Sequence, residues 1–585
     1  MVIAVIIIAL VVFSVQAYFV SKIRFIGSSD PAHFANVAEN FLKGNGFTLD
    51  YINEYFLKLP AISHPEEWGF SGAALIIAPF ILLFGKTAFA VKLPSMIMGV
   101  ILFPIVIYMM GKEMFDKKIG FLAAASMIFY PLIFKLNFGG ERDTIYAFLL
   151  FLGFYLFYKG LKTRDYFYLM GVVLGFSFLV RQTTLIVFPA LVLIYYLVEK
   201  KFSKEFLFGL ALSGVVMAPW LVRTYLIFGN PLFTVNKYIA WIVGYFGYFE
   251  PQGFKIYWGG EINPLPYPFW VLRDALGRYV YTVRTLNSFS SQLSELLFLT
   301  LLAFVGLAFS SLREISRRIR IWMAVITSYA IVMYYALYYV IYISTTALVI
   351  FVIPYLAILL TALFLFTKGS GKNTMLVILW GAFAAFFSIY WVSDIRYFLP
   401  IIPLLFIFSW SGARELLNRL AERFPRFKRE YTDKVLVIAI VIFVLISIPM
   451  TFGNFLDKNA SFPYRDDELS KLKLQMADKI INVTEKGDVI MACDVGVMNF
   501  YTGRKFIELP SDSLEHMVMV MKKYKVSYVS ILGCDRRFIG KDFIQVLFGK
   551  DVPPPTYKSG LYEVYLNESR TSSSEVSVDF FVSEH

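Results

Sequence analysis

Val435-Leu436-Val437-Ile438-Ala439-Ile440-Val441-Ile442-Phe443-Val444-Leu445-Ile446-Ser447-Ile448-Pro449-Met450-Thr451-Phe452 is an apolar run without a single charge. Arg414, Arg419, Arg423, Arg426, Lys428, Arg429 and Lys434 precede it, and a more polar tail follows it. A helix of this length crosses a hydrocarbon core of roughly 30 Å. The basic loop assigns the leading end of the run to the cytoplasm, which puts everything after about 453 outside.

Comparable runs recur towards the N-terminus, among them Val2–Val20, Phe89–Met110 and Leu348–Phe366. Hydrophobic residues make up 58% of the 585 positions and charged residues 17%, with a mean hydropathy of +0.64. A soluble domain lies nearer roughly 45–50% and 25%. The net charge of +13 gathers in short loops between runs. Lys112, Lys117 and Lys118 form one cluster, then Lys159, Lys162 and Arg164, then Lys200, Lys201 and Lys204. Arg313, Arg317, Arg318 and Arg320 follow, then Lys368 and Lys372. This is the bias of membrane topology, so no nucleic-acid partner is expected. With these loops cytoplasmic, the loops around 21–70, 135–143 and 228–288 lie outside, where the carboxylates collect. The stretch Gly72–Gly85 is too short to span and suits a re-entrant or interfacial helix. Without it the chain makes about thirteen crossings, with its N-terminus cytoplasmic. The first run lacks the basic n-region and small-x-small site of a signal peptide.

The expected fold is therefore a polytopic α-helical membrane protein, residues 1–452, with a C-terminal extracytoplasmic α/β domain, 453–585. In the tail, Asp466–Thr484 and Ser513–Lys523 have helical periodicity, and Asp488–Cys493 and Val526–Leu532 read as strands. That alternation suggests some parallel pairing. The two cysteines, Cys493 and Cys534, fall at or just past the ends of these strands. They form a disulfide if the strands are neighbours, or stay as two buried thiols. Asn459, Asn482 and Asn567 begin sequons too short to carry weight.

Chemistry is expected in the outer loops. Gly27-Ser28-Ser29-Asp30-Pro31-Ala32-His33-Phe34 places Asp30 as an N-cap with proline at the first helical position. Phe34, Val37, Ala38, Phe41 and Leu42 then repeat at helical spacing up to Gly44. Asp30 thus caps a helix lying on the membrane surface, where a carboxylate would meet a lipid phosphate-sugar. The loop closes with His64-Pro65-Glu66-Glu67-Trp68-Gly69, a set that reads either as a metal or sugar site or as a solvated acidic turn with an interfacial tryptophan. Glu141-Arg142-Asp143 opens a span, where acidic residues favour a helix N-terminus without any function. Arg181 and Arg396 stand on the less basic face, as grips for phosphate oxygens or as snorkelling anchors.

These residues carry a resemblance. Asp30, Pro65-Glu66-Glu67-Trp68, Leu83-Phe84-Gly85 and Ala90-Val91-Lys92-Leu93-Pro94-Ser95, in that order, are similar to the polyprenyl-phosphate-sugar glycosyltransferases of the GT-C superfamily. The nearer likeness is to the protein O-mannosyltransferase and lipid A aminoarabinose transferase group. Gly171-Val172-Val173-Leu174-Gly175 running to Arg181 resembles that group's GxxxGlaxLtR stretch. Pro219-Trp220-Leu221-Val222-Arg223 with Phe228-Gly229-Asn230-Pro231 resembles PWxxRN…fGnP, with Thr224 where asparagine is usual. Arg396-Tyr397-Phe398-Leu399-Pro400 and Tyr501-Thr502-Gly503-Arg504 resemble RYxlPxxP and yyTGR. Two departures stand out. The form Pro-Glu-Glu-Trp leaves Glu66 or Glu67 as the counterpart of the group's loop glutamate, and a single Asp30 replaces the Asp-Glu pair of the eukaryotic mannosyltransferases. The WWDYG motif of oligosaccharyltransferases is absent.

The resemblance implies a GT-C fold and transfer from a polyprenyl-phosphate sugar to a lipid, glycan or protein acceptor on the outer face of the cell membrane. It implies Asp30, with Glu67 and Asp143, as the catalytic carboxylates. His33, His64, Arg142, Arg181, Arg223, Arg396 and Tyr397 would bind substrate. A divalent cation (Mg, Mn or Zn) would sit near Glu67, with Glu66 or His64. The rival reading is a polytopic transporter or flippase for a lipid-linked sugar. Against it, few charges lie near the middle of the spans, no inverted repeat is evident, and an exported domain has no clear use there.

Overall fold

A computed structural model describes residues 1–235, 371–389, 394–424, 430–509, 514–530, 561–566 and 578–581, apart from Ser28 and Lys58. The expected spans within 236–370, the loop at 425–429, Cys534 and Asn567 lie outside the described residues.

The chain begins with α1 (Val2–Val20), followed by the loop helix α2 (Ser29–Leu42). Asp30 sits in the first turn of α2 rather than one residue ahead of it. The difference is small, because an acidic side chain there still meets the positive end of the helix dipole. Two-residue strands β1 (Thr48–Leu49), β2 (Tyr51–Ile52) and β3 (His64–Pro65) follow. Then come α3 (Gly72–Phe84) and α4 (Ala88–Met114), the latter with a π-helical turn at Ile97–Leu102. Helices α5 (Lys117–Ile128) and α6 (Pro131–Gly139) form a pair bent by 48°, with Pro131 at the break supplying the cause. Next are α7 (Arg142–Gly160), α8 (Tyr166–Val180), α9 (Val187–Glu199) and α10 (Lys204–Phe228), and later α11 (Gly371–Ile389), α12 (Ile402–Arg423) and α13 (Glu430–Leu456). Among the described residues five helices are long and apolar enough to cross a membrane, or six if the bent pair is one span.

The charges separate by end. Lys118 pairs with Asp433, Arg414 with Asp116, Lys159 with Glu113 at 3.2 Å and Arg164 with Glu199. Lys372 reaches the Met114 carbonyl at 3.4 Å, and Met1 lines one cavity with Lys118 and Asp433. The described basic residues of these loops thus meet at one end of the bundle. Helix α3 has both ends at the other. Gly72 packs on the backbone of Leu179–Val180, and Lys86, just before α4, pairs with Glu39 of α2 at 2.5 Å. Thirteen residues make about 20 Å of helix, shorter than a hydrocarbon core of roughly 30 Å.

Helices α8 and α10 cross closely because small residues face each other. A Cβ on Gly175 would stand 2.8 Å from the Ser213 carbonyl oxygen, and one on Gly171 would overlap that of Gly209. Gly171-x-x-x-Gly175 against Gly209-x-x-x-Ser213 is the close-packing pattern of membrane helices.

The tail folds as α14 (Glu468–Val483), β4 (Val489–Ala492), α15 (Val495–Thr502), β5 (Lys505–Glu508), α16 (Leu514–Tyr524), β6 (Val526–Ser530), β7 (Leu561–Leu566) and β8 (Val578–Phe581). Its sheet has the order β2-β5-β4-β6-β7-β8. The first four strands pair in parallel, and the β6–β7 and β7–β8 pairings are antiparallel. The edge strand β2 comes from the first loop, with Tyr51 opposite Phe506 and Ile52 opposite Ile507. Cys493 is in a disulfide.

Candidate active site

The ladder of β1 with β3 sets Leu49 opposite His64 and Thr48 opposite Pro65. This turns the two glutamates that follow into separate partnerships. His64 Nδ1 lies 2.6 Å from the Ile62 carbonyl oxygen and its Nε2 lies 2.8 Å from Glu67 Oε2. The Ile62 carbonyl can only accept, so Nδ1 donates to it, and an imidazolium would donate from Nε2 to Glu67 as well. Burial opposes that charge, but Glu67 and the Ile62 carbonyl raise the His64 pKa above its ordinary value. Glu66 turns the other way. Its Oε1 lies 3.0 Å from His33 Nε2 and accepts from the Gly69 amide at 3.1 Å, while Ser71 donates to Oε2 at 3.4 Å. His33 Nδ1 is 2.7 Å from the Tyr51 hydroxyl. Burial, reinforced by Glu67, Glu66 and Asp30, pushes that phenol well above its usual pKa, so Tyr51 keeps its proton beside His33.

Both glutamates are 1–2% exposed and committed to different histidines. Among the described residues no group of three or more His, Cys, Asp or Glu side chains is placed to hold a metal ion. The expected cation at Glu67, Glu66 and His64 does not fit this arrangement. Glu67 is already engaged by His64 and Glu66 by His33.

The second half of the site comes from the spanning helices. Asp143 in the first turn of α7 is 2% exposed and takes the Arg181 guanidinium. Arg396 Nη1 stands 3.7 Å from both Asp143 and Glu141, and its Nε is 3.3 Å from Asp394. Burial opposes the charge of Arg396, but Tyr397, Glu141, Asp394 and Asp30 secure it. The Tyr397 ring has Arg181 at 4.5 Å and Arg396 at 5.4 Å from its centroid. Arg142 lies over the Phe34 ring at 4.6 Å. It makes no ion pair among the described residues, and its Nε is buried without a hydrogen-bond partner there. Half-buried Asp30 faces this group. Burial acts against its charge, yet Arg142, Arg396, Arg181 and His33 together hold its carboxyl below the usual range.

The structure therefore gathers Asp30, His33, His64, Glu66, Glu67, Arg142, Asp143, Arg181, Arg396 and Tyr397 at one end of the bundle. Arg223 stands behind them. It donates to the Phe47 carbonyl at 2.8 Å, the same oxygen that accepts the Glu66 amide at 3.0 Å, and lies over Trp220 at 4.7 Å. Tyr51 and Asp394 were not singled out by sequence, and Glu141 was read there only as a charge favouring a helix start. Glu141 adjoins a chosen pair and was within reach, whereas nothing in the chain marks Tyr51.

Residues 64–222 match the model of the dolichyl-phosphate-mannose-protein mannosyltransferase family. Asp30, Arg223 and Arg396 lie outside that segment. Two crystal structures of ArnT from Cupriavidus metallidurans are similar at 12% identity. The apo form has a TM-score of 0.47 over 94% of this chain and 91% of that one. The form bound to undecaprenyl phosphate has 0.48 over 91% and 92%. No curated protein matches the chain. Over residues 64–222 the chain is similar to the dolichyl-phosphate-mannose-protein mannosyltransferases, and the resemblance to GT-C polyprenyl-phosphate-sugar glycosyltransferases read from its motifs holds.

Proposed function

We propose that this is a membrane glycosyltransferase. It moves a sugar from a polyprenyl (dolichyl-type) phosphate to a hydroxyl of a lipid, glycan or protein acceptor on the outer membrane face, by a single inverting displacement. The observation that carries this reading is half-buried Asp30 in the field of Arg142, Arg181 and Arg396, with the Arg142 Nε buried and without a hydrogen-bond partner among the described residues. As the C1–O bond to the lipid phosphate breaks, negative charge grows on the departing phosphate. Arg142 has donors to offer it, and Arg181 and Arg396, braced by Asp143 and Glu141, extend the positive field. The acceptor oxygen bonds to C1 from the opposite side, and its proton passes to Asp30. A carboxylate held this acidic takes the proton late, once the attacking oxygen has gained positive character.

The family match over 64–222 and the one-sided basic loops support the reading. They also favour a cytoplasmic N-terminus and an extracytoplasmic tail. Purified protein in detergent, given a radiolabelled polyprenyl-phosphate sugar and candidate acceptors, should release free polyprenyl phosphate and labelled acceptor. A transporter would return the donor chemically unchanged.

A further inference from the structure

Arg24-Phe25-Ile26 links α1 to the helix that bears Asp30, and its backbone is tied to distant parts of the chain. The Arg24 and Phe25 amides donate to the two oxygens of Asp466, each at 2.9 Å. The Ile26 amide donates to the Tyr501 hydroxyl at 2.6 Å, and that hydroxyl donates in turn to the Arg24 carbonyl at 2.9 Å. Lys92 of α4, fully buried, donates to the Phe25 carbonyl at 2.9 Å. The Phe25 ring meets Phe462 edge-on at 5.6 Å and stacks near Tyr501 at 6.2 Å. Gly27 then turns the chain with φ +118°, where a Cβ would lie 2.5 Å from the Phe462 ring. Further along the loop, Asn36 donates to the Gly496 carbonyl at 2.8 Å.

Irregular backbone needs hydrogen-bond partners. Here they come mainly from the tail, through Asp466 and Tyr501, with Lys92 of α4 adding one. Arg142, Arg181 and Arg396 are carried by the spanning bundle, whereas Asp30 is carried by the loop. Their alignment is a relation between two separately held elements, and a shift of about 1 Å can cost on the order of 100-fold in rate. We propose that Asp466 and Tyr501 are positioning residues: the exported tail latches the Arg24–Ile26 backbone and so fixes Asp30 against the arginines of the bundle. What Asp30 does there rests on the proposed glycosyl transfer; the latch itself does not.

The test uses full-length protein in nanodiscs. Tyr501→Phe keeps the ring and loses both hydroxyl bonds, and Asp466→Asn keeps only one good acceptor. Amide hydrogen exchange over residues 24–34 should accelerate about tenfold, while β4 stays protected as in wild type. Turnover should fall at least about tenfold with little change in donor KM. The acid limb of the rate profile should move up towards the ordinary carboxylate range as Asp30 leaves the arginines. Unchanged exchange over 24–34 overturns the latch. Faster exchange with unaltered turnover and acid limb overturns the positioning role and leaves only packing. If wild-type protein transfers no sugar, the glycosyltransferase reading fails, and the exchange measurement still upholds or overturns the latch.

Discussion

Neutralising Asp30 and Asp143 one at a time separates a base from a brace. Asp143 is 2% exposed, bound to Arg181 and 3.7 Å from Arg396, so it has no free edge for an acceptor hydroxyl. Removing one partner of such a buried pair costs on the order of 3–5 kcal/mol of stability. Asp143→Asn should therefore lower the thermal midpoint and loosen the arginines together. Asp30 is half-buried and faces Arg142. Asp30→Asn should fold but lose about 10²–10⁴ in turnover, roughly 3–5 kcal/mol of barrier. A lost packing contact or neutral hydrogen bond, about 1 kcal/mol, would cost less than tenfold, so the two explanations are distinguishable by size. Donor affinity in Asp30→Asn should hold, because Asp30 meets the acceptor hydroxyl and not the phosphate. The pH dependence has a definite sign. Although burial works the other way, Arg142, Arg396, Arg181 and His33 depress the Asp30 pKa. The base form and its stabilising contribution are thus present above the ordinary carboxylate value, about 3.9, and are lost only as pH falls through the lower folded value. The wild-type rate should show no acid limb from this group between neutrality and about pH 4. The assays are polyprenyl phosphate release, donor titration and thermal unfolding in the same detergent. Asp30→Asn turning over within about fivefold of wild type, beside a stable but inactive Asp143→Asn, would refute the assignment and hand the base role to Asp143.

Three further outcomes follow from the geometry. Arg396→Ala should weaken donor binding more than folding, and Arg396→Lys should recover only part of it, since one ammonium cannot reproduce the forked contacts to Glu141, Asp143 and Asp394; donor titration reads both. Gly171→Val should destabilise the bundle by about 1–3 kcal/mol, because its side chain meets the Gly209 backbone; denaturation in mixed micelles at fixed lipid content measures it. The raised pKa of His64 means that the His64–Glu67 pair contributes fully below about pH 6.5 and is lost as pH rises through the folded value. The thermal midpoint should fall from pH 6 to pH 9, and His64→Gln should flatten that slope.

The helix carrying Asp30, the short α3 and the alternating tail were legible because each rests on local periodicity or length, but the surface position expected for that helix was not, since Ala32–Ala38 are buried and Asn36 is bonded to the tail. Val489–Ala492 and Val526–Ser530 fall inside the strands expected there. The strand Tyr51–Ile52 was not legible. Two residues show no alternation, and the β5 edge that makes them a strand lies far along the chain. The roles of the carboxylates were half legible. Sequence brought Glu66, Glu67 and Asp143 into view, but which carboxylate is already held by a histidine or an arginine is decided by side-chain direction. A His beside two Glu looks like a ligand set in one dimension. In three dimensions, the strand turns the glutamates towards different histidines.

Asn36 and Gly496 are 460 positions apart, and that spacing has a consequence for biosynthesis. At about 5–20 residues per second, the first loop waits roughly half a minute to a minute and a half for its tail partners to be translated. During that interval Tyr51–Ile52 has no sheet to join and the Arg24–Ile26 amides lack Asp466 and Tyr501. A chain truncated just after Leu456 would carry the described bundle helices yet lack the tail partners of its first loop, so the proposed latch on Arg24–Ile26 closes only after the tail has been made.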